Sequence, residues 1–321
     1  RDKDAVDIVE FRRECREFAE HWIEIQRDEF KRLGVIGDWD HPYTTMNFAA
    51  EAQIVRELGK FLMSGALYKG AKPVLWSVVE KTALADAEVE YADHVSTTVS
   101  VRFPVARSAM PELEGASILI WTTTPWTIPG NRAVAFGPSV EYAVYEVVSV
   151  GEGSMAVAGE KFVVAETLAE SVRNDAAIET WRRVARVPTL EGTLCRHPLF
   201  AKGYEFEVPV VGADFVDVDT GSGCVHIAPG HGTDDWEVGV RLGLEVPETV
   251  DGDGLFVADV PLFAGLHVFK ADANILAALA DVGALLATAK LNHSYPHSWR
   301  SKAPLIFRNT PQWFISMDKT G

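Results

Sequence analysis

Three consecutive threonines, Thr122, Thr123 and Thr124, end an apolar run from Ala116 to Trp121 and are followed by Pro125-Trp126-Thr127-Ile128-Pro129-Gly130-Asn131. Pro125 and Pro129 lack a backbone donor, so ladder and helix bonding are expected to stop there and leave the hydroxyls on a strand exit. Hydroxyls fixed in direction beside the unpaired backbone groups of a turn can hold a small polar ligand; the same residues also serve plain strand packing. A second cluster is Cys224-Val225-His226-Ile227, which alternates like a strand, with Pro229-Gly230-His231-Gly232-Thr233-Asp234-Asp235 just beyond it. One histidine and two carboxylates converge on this turn. Three chemistries fit: a metal site from His226, His231 and the aspartates, a hydrolytic pocket, or a structural turn with a helix cap. The spacing of His226 and His231 is not that of the helical zinc pair, and no third nitrogen ligand is evident. A dinucleotide fingerprint is excluded because His226 stands where the third glycine after Gly221 and Gly223 belongs, and Gly-Lys-Ser/Thr is missing.

Both clusters resemble the editing domain of isoleucyl-tRNA synthetases: Trp121 to Thr127 with Asn131-Arg132-Ala133 matches its threonine-rich motif, and Gly221 to Asp235 its histidine and aspartate motif. Ser294-Tyr295-Pro296-His297-Ser298-Trp299-Arg300, running on to Thr310 through Met317, resembles the return into the synthetase body. Asp38-Trp39-Asp40-His41-Pro42-Tyr43 and Lys72-Pro73-Val74-Leu75-Trp76 extend the resemblance over nearly the whole chain. Valyl and leucyl relatives typically carry an arginine after the threonines; Pro125 here favours the isoleucyl type.

The resemblance implies hydrolysis of the ester between valine and the terminal ribose of tRNA(Ile), so the expected partners are the acceptor end of that tRNA and valine or isoleucine. Carried over residue by residue, Thr122, Thr123, Thr124 and Thr127 would contact the terminal adenosine and position the attacking water, and Asn131 would add an amide contact. Asp235 would hold the α-ammonium of the substrate. His226 and Trp126 would bind the side chain, His226 as part of the wall that rejects isoleucine; no residue pairs with His226 in sequence to orient it as a general base. A catalytically silent tRNA-binding module and a free-standing aminoacyl-ester hydrolase are the alternatives. Many relatives carry a four-thiolate zinc site whose positions here read Ser77, Glu80, Ser298 and Ser301. No metal is expected, and packing must hold that junction. No cofactor is expected for this chain; ATP with Mg belongs to the full-length parent.

The expected architecture is α+β, a β-barrel-like editing domain at 94–291 inserted into a partial Rossmann-type α/β catalytic domain made of 1–93 and a return segment, 292–321. Residues Asp4 to Leu33 read as an amphipathic helix with Phe11, Cys15, Phe18, Trp22 and Ile25 as its core stripe, and Asn47 to Met63 as a second. Short β runs follow: Thr97 to Val101, Ala116 to Trp121, Ala133 to Phe136, Tyr142 to Val148, Lys161 to Val164 and Trp181 to Val187. Helices are expected at Glu166 to Asn174, at Asp234 to Leu242, and at Ala273 to Ala287 with Asp272 as cap.

At 321 residues and 47% apolar content the chain can bury a substantial core. Its net charge of −16 has the wrong sign for holding nucleic acid mainly by phosphate neutralisation. Between Lys290 and Met317 there is no Asp or Glu, so Lys290, Arg300, Lys302 and Arg308 are the nominated tRNA contacts, with a solvated basic face as the alternative. Three separated cysteines and a charged opening, Arg1 to Asp4, fit a cytoplasmic monomer without a signal peptide or membrane span. The family's His-x-Gly-His-type and Lys-Met-Ser-Lys-Ser signatures for adenylate formation occur nowhere in the sequence. The chain is therefore expected to give no isoleucine-dependent ATP–pyrophosphate exchange, and measurable exchange by the purified chain would contradict this.

Overall fold

The computed structural model describes residues 5–317, so Asp4, the expected start of the first helix, lies outside it. The chain forms two compact units, one from the residues up to Gly70 together with those from Trp313, the other Ala71–Gln312.

In the first unit, α1 (Ile8–Arg32) starts at Asp7, whose carboxylate accepts from the Val9 amide at 3.0 Å. α2 (Phe48–Met63) starts at Asn47 in the same way. Arg16 joins the two helices: it donates to Glu51 at 2.7 Å and lies 4.5 Å over the Phe48 ring. The stripe read as core is not core here. Phe18 is 66% and Trp22 44% exposed, and neither helix has a fully buried residue. Apolar spacing of three and four shows that a helix requires a partner; it does not place that partner in the same stretch of chain.

The second unit is built on a large mixed sheet. Its strands are β3 (Val89–Arg107), β4 (Ala116–Thr122), β5 (Ala133–Phe136), β6 (Tyr142–Val150), β7 (Lys161–Ala165), β8 (Ile178–Val187), β9 (Leu194–Arg196), β10 (Glu207–Gly212), β11 (Cys224–Ile227) and β12 (Leu285–Ser298). The order is β11-β5-β10-β9-β3-β4-β7-β6-β8, with β12 beside β3. Three helices accompany it: α3 (Ala169–Asp175), α4 (Thr233–Leu242) and α5 (Asp272–Asp281). A second sheet has the order β13-β1-β2, from β1 (Leu67–Ser77), β2 (Thr82–Ala83) and β13 (Ile306–Ile315).

The sheet is open, which corrects the expected barrel. All six β runs read from the sequence are strands, but they do not close on one another. β3 spans 19 residues and serves three partners, β12 over 89–101, β4 over 99–104 and β9 at 105 and 107. The sheet therefore branches around β3 instead of curling back, and β11 and β8 remain as edges. The boundaries expected at 93/94 and 291/292 fall inside the continuous β3 and β12 ladder. The alanine-rich helix is shorter than expected, because Leu285 and Leu286 turn into β12 and are buried in the sheet. Asp272 is the first residue of α5, with Ala271 at the cap and no side-chain cap bond. Among the described residues no helix is long and apolar enough to cross a membrane.

The core is the apolar face of this sheet, with Val99, Val101 and Phe103 of β3 and Ile118 and Ile120 of β4 wholly buried. At its edge the buried Tyr142 hydroxyl takes a bond from the Gly137 amide at 2.9 Å and gives one to the Gly223 carbonyl at 2.5 Å. Gly223 has φ +81°, and a Cβ there would meet the Ala165 Cβ at 2.4 Å. Gly223→Ala is expected to cost ~2–4 kcal/mol from strain and overpacking together. Gly192→Ala, at φ +73° with open space around it, should cost only ~1 kcal/mol. Equal denaturation midpoints for the two variants would contradict this account of the β11 entry.

Candidate active site

The threonine run is positioned as a strand exit. β4 ends at Thr122, whose hydroxyl accepts from the Thr124 amide at 3.1 Å and so turns the chain. Helical bonding does not stop at the prolines, contrary to expectation. Residues Pro125–Gly130 form a 3₁₀ helix, with Thr127 N–H donating to the Thr124 carbonyl at 3.1 Å and Asn131 N–H to that of Ile128 at 3.0 Å. Pro125 occupies the first helical position, where a missing donor costs nothing, and i→i+3 bonding leaves room for Pro129. All six residues are buried. His197, a lone histidine that the sequence gave no reason to single out, supports this turn from below. Its Nε2 meets the Ile128 carbonyl at 3.1 Å, its ring stacks on Tyr204 at 4.6 Å, and burial pushes its pKa down to about 3.

A hydrogen-bonded chain joins the turn to β11. The Thr127 hydroxyl donates its single proton to the Thr124 carbonyl at 2.8 Å, so at its 2.9 Å contact with His226 Nε2 the imidazole must be the donor. Nδ1 is then the acceptor, facing the Asn131 amide nitrogen at 3.5 Å, and that amide also donates to the Ala133 carbonyl at 2.8 Å. Burial, with His231 adding to it, pushes the His226 pKa down to about 4. A neutral ring with both nitrogens engaged holds Thr127 in place and is not placed to take a proton. Asn131 is wholly buried with its Nδ2 turned to His226 and its Oδ1 without a partner. Both nitrogens of His231 are likewise engaged, with the Thr249 hydroxyl and the Phe307 carbonyl. Its ring meets Trp126 edge-on at 4.9 Å.

Thr123, Thr124 and Trp126 open onto a cavity of about 380 Å³ whose other walls include His94, Thr97, Asp272, Lys290 and Tyr295. Thr122 and Thr123 line a smaller cavity of about 220 Å³ beside Ser222 and Cys224. His226, Asn131 and Asp235 line neither. In the larger cavity Lys290 donates to Thr97 at 2.8 Å. Burial raises the Asp272 pKa, and a hydrogen bond with Thr97 and the Lys290 charge oppose that rise. His94, Thr97, Asp272 and Tyr295 were missed as site residues because nothing in their own spacing marks them; the β3–β12 pairing and the α5 N-terminus bring them together.

Asp235 lies in the first turn of α4, whose cap is Gly232 and carries no side-chain bond. The aspartates therefore do not cap the helix with their side chains. Instead Asp235 Oδ2 accepts from the Ala228 amide at 3.4 Å, and burial raises its pKa to about 7. Asp234 is exposed.

The four nominated tRNA contacts do not share one free face. Arg308 is 8% exposed and bonded to the Val250 carbonyl, Thr310 and Glu248, so it is unavailable to a phosphate. Lys302 pairs with Glu90 at 2.6 Å and Arg300 approaches Glu88 at 3.9 Å. The stretch has no acid of its own, yet acids from elsewhere in the chain face it.

A histidine with a depressed pKa gains protons on unfolding, so its stabilising contribution is lost as pH falls below the ordinary value of 6.5 towards 4. His226, His231 and His197 all act in this direction. Asp235 and Asp272, whose pKa values are raised, oppose part of this in the same window, but with three histidines against them stability should fall between about pH 6.5 and 4, and ¹⁵N spectra should show His226 as the neutral Nε2–H tautomer at pH 6. An imidazole titrating near 6.5 would contradict the buried chain.

The sequence matches the family model for tRNA synthetases class I (I, L, M and V) over residues 1–321. It is 51% identical to an isoleucine–tRNA ligase of Pelagibacter ubique over all of this chain and 35% of that protein. It is 52% identical to one of Bradyrhizobium diazoefficiens over 99% of this chain and 34% of that protein. The chain thus spans about a third of the length of these relatives. A solved structure, GlLeuRS-CP1, aligns with 60% of this chain and 99% of its own at a TM-score of 0.46 and 12% identity. The motifs that carry the resemblance, the full-length family match and half-identical relatives agree: the chain belongs to the class I tRNA synthetases and corresponds to about a third of an isoleucine–tRNA ligase.

Proposed function

We propose that this chain is the editing part of an isoleucyl-tRNA synthetase and hydrolyses the ester of mischarged valyl-tRNA(Ile). The observation that carries the reading is Asp235. A half-buried carboxylate with one long hydrogen bond and a pKa raised to about 7 by desolvation is short of partners, and an ammonium group, which every aminoacyl ester carries, would supply the missing charge. Thr123 and Thr124 present hydroxyls to a cavity large enough for an aminoacyl end, with Trp126 as an apolar wall, although Asp235 does not itself line that cavity. Water held by these hydroxyls attacks the ester carbonyl, the bond to the ribose oxygen breaks, and that oxygen takes up a proton with help from the neighbouring ribose hydroxyl. His226 acts from behind as the positioning residue of Thr127. The need for such a step is physical: one methylene changes binding by only ~1–3 kcal/mol, a magnitude for which isoleucyl enzymes are themselves the reference case.

Asp272 is the competing anchor, because it lines the cavity directly. Burial raises its pKa as well, but a bond with Thr97 and the Lys290 charge offset part of that rise, whereas Asp235 has only the long bond from the Ala228 amide. For the whole protein we propose ligation of isoleucine to its tRNA with ATP and Mg, as a cytoplasmic monomer.

Asp235→Ala should cost ~2–5 kcal/mol in deacylation of valyl-tRNA(Ile), while Asp272→Asn retains most activity and isoleucyl-tRNA is spared by the parent chain. Deacylation should rise with pH through about 7 as Asp235 ionises. Near-normal hydrolysis by Asp235→Ala would remove the anchor; loss in Asp272→Asn alone would transfer the role; a parent chain that binds tRNA and hydrolyses neither ester would leave a silent binding module.

A further inference from the structure

The four positions that carry zinc thiolates in many relatives do come together, in a different chemistry. Ser77 is wholly buried and Ser298 is 1% exposed. The Ser77 hydroxyl donates to Glu80 Oε2, while Glu80 Oε1 accepts from the Ser298 hydroxyl at 3.1 Å and from the Ser301 amide at 3.1 Å. The Glu80 amide in turn donates to the Ser77 hydroxyl at 3.1 Å, and the Arg300 amide to that of Ser298 at 3.3 Å. Zinc does not fit this set. Neutral hydroxyls replace thiolates, and their protons already point at the carboxylate. Among the described residues no group of three His, Cys, Asp or Glu could hold a metal ion.

We propose that Glu80 is an anionic staple, its carboxylate clamping the 77–80 turn to the 298–302 turn where relatives use a metal ion. The two turns lie where the chain leaves for the large sheet and where it comes back, since the β3–β12 ladder begins with the pair Val89 and Ser298. Two satellite bonds, Trp299 N–H to the Glu88 carbonyl at 3.0 Å and Ser298 N–H to that of Ala303 at 2.9 Å, fix the returning turn around it. A carboxylate can take this place because it offers about four acceptor sites, and bonds to a charged acceptor are about twice as strong as neutral ones. Burial tends to raise the Glu80 pKa, but the bonds from Ser301 and Ser298 outweigh it and hold the group below its ordinary value. The charged form is thus the one the cluster favours.

The test compares this chain with Glu80→Ala, Glu80→Gln and Ser298→Ala by thermal melting and amide hydrogen exchange. Glu80→Ala should lower the melting point and speed exchange of the Ser301 amide by about tenfold or more. Glu80→Gln should give a smaller loss, because its amide keeps one acceptor but turns donors towards serine hydroxyls. Ser298→Ala, the mildest change, should speed exchange at Ser301 even if the Glu80 variants fail to fold. Unchanged melting and exchange in all three would overturn the proposal, and a Glu80→Gln variant equal to the parent would overturn its anionic character. In the same chain, replacing Ser77, Glu80, Ser298 and Ser301 together by cysteine should create a site that takes up about one Co²⁺ per chain with tetrahedral thiolate absorption. Failure to bind would mean the four positions do not converge.

Discussion

The walls of the larger candidate cavity hang on the antiparallel pairing of β3 with β12. Thirteen residue pairs, from Val89 with Ser298 to Val101 with Leu285, tie two segments that are far apart in the chain. The register sets which residues of the two strands stand side by side, Lys290 opposite Thr97 and Tyr295 opposite Ala92. Here it delivers His94 and Thr97 from one strand and Lys290 and Tyr295 from the other. The core strands that follow, β4 among them, are laid against the far end of β3, and the threonine turn emerges from β4. The hydroxyls of the threonine turn are thus located by a ladder of which they are no part.

Two carboxylates show how burial is resolved in opposite ways. Glu80 lies among hydroxyl and amide donors that hold it ionised. Asp235 has a single long bond, and the cost of desolvation appears as a raised pKa. In physical terms the first is a completed interaction and the second an incomplete one. Structural junctions tolerate only the first kind; binding sites make use of the second, because the ligand supplies what the fold withholds.

Much of this was legible in the sequence, and the limits have identifiable causes. β-branched and aromatic runs bounded by glycine and proline marked the strands from β3 to β8, since that pattern is local. Closure of a sheet is not local: the 19-residue β3 takes three partners, which no run by itself reveals, so a barrel was read where the sheet is open. The Phe11 to Ile25 stripe was correctly helical, but none of it is buried. At the site, the threonine turn, His226 and Asp235 stood out through residue type and spacing. The distinction between lining a cavity and standing behind it did not, because Asn131 and His226 differ from Thr124 only in the direction their side chains take from the backbone. The basic stretch misled for a similar reason: Glu88, Glu90 and Glu248, which answer Arg300, Lys302 and Arg308, are distant in sequence and adjacent only in space.

The serines at the junction also bear on where such a chain can work. A four-thiolate zinc site is a chemical liability as well as a cross-link: thiolates climb the oxidation ladder, and an ion that is bound can be lost to competitors when metal is scarce. Ser77, Ser298, Ser301 and Glu80 have no sulfur to oxidise and no ion to surrender. Cys195 and Cys224 are buried, the thiol pKa of Cys224 is pushed up to about 12, and that of Cys195 is raised as well, so neither offers a reactive thiolate in their stead. The bonding at this junction thus depends on neither a sulfur nor a bound ion, only on a carboxylate and the donors around it.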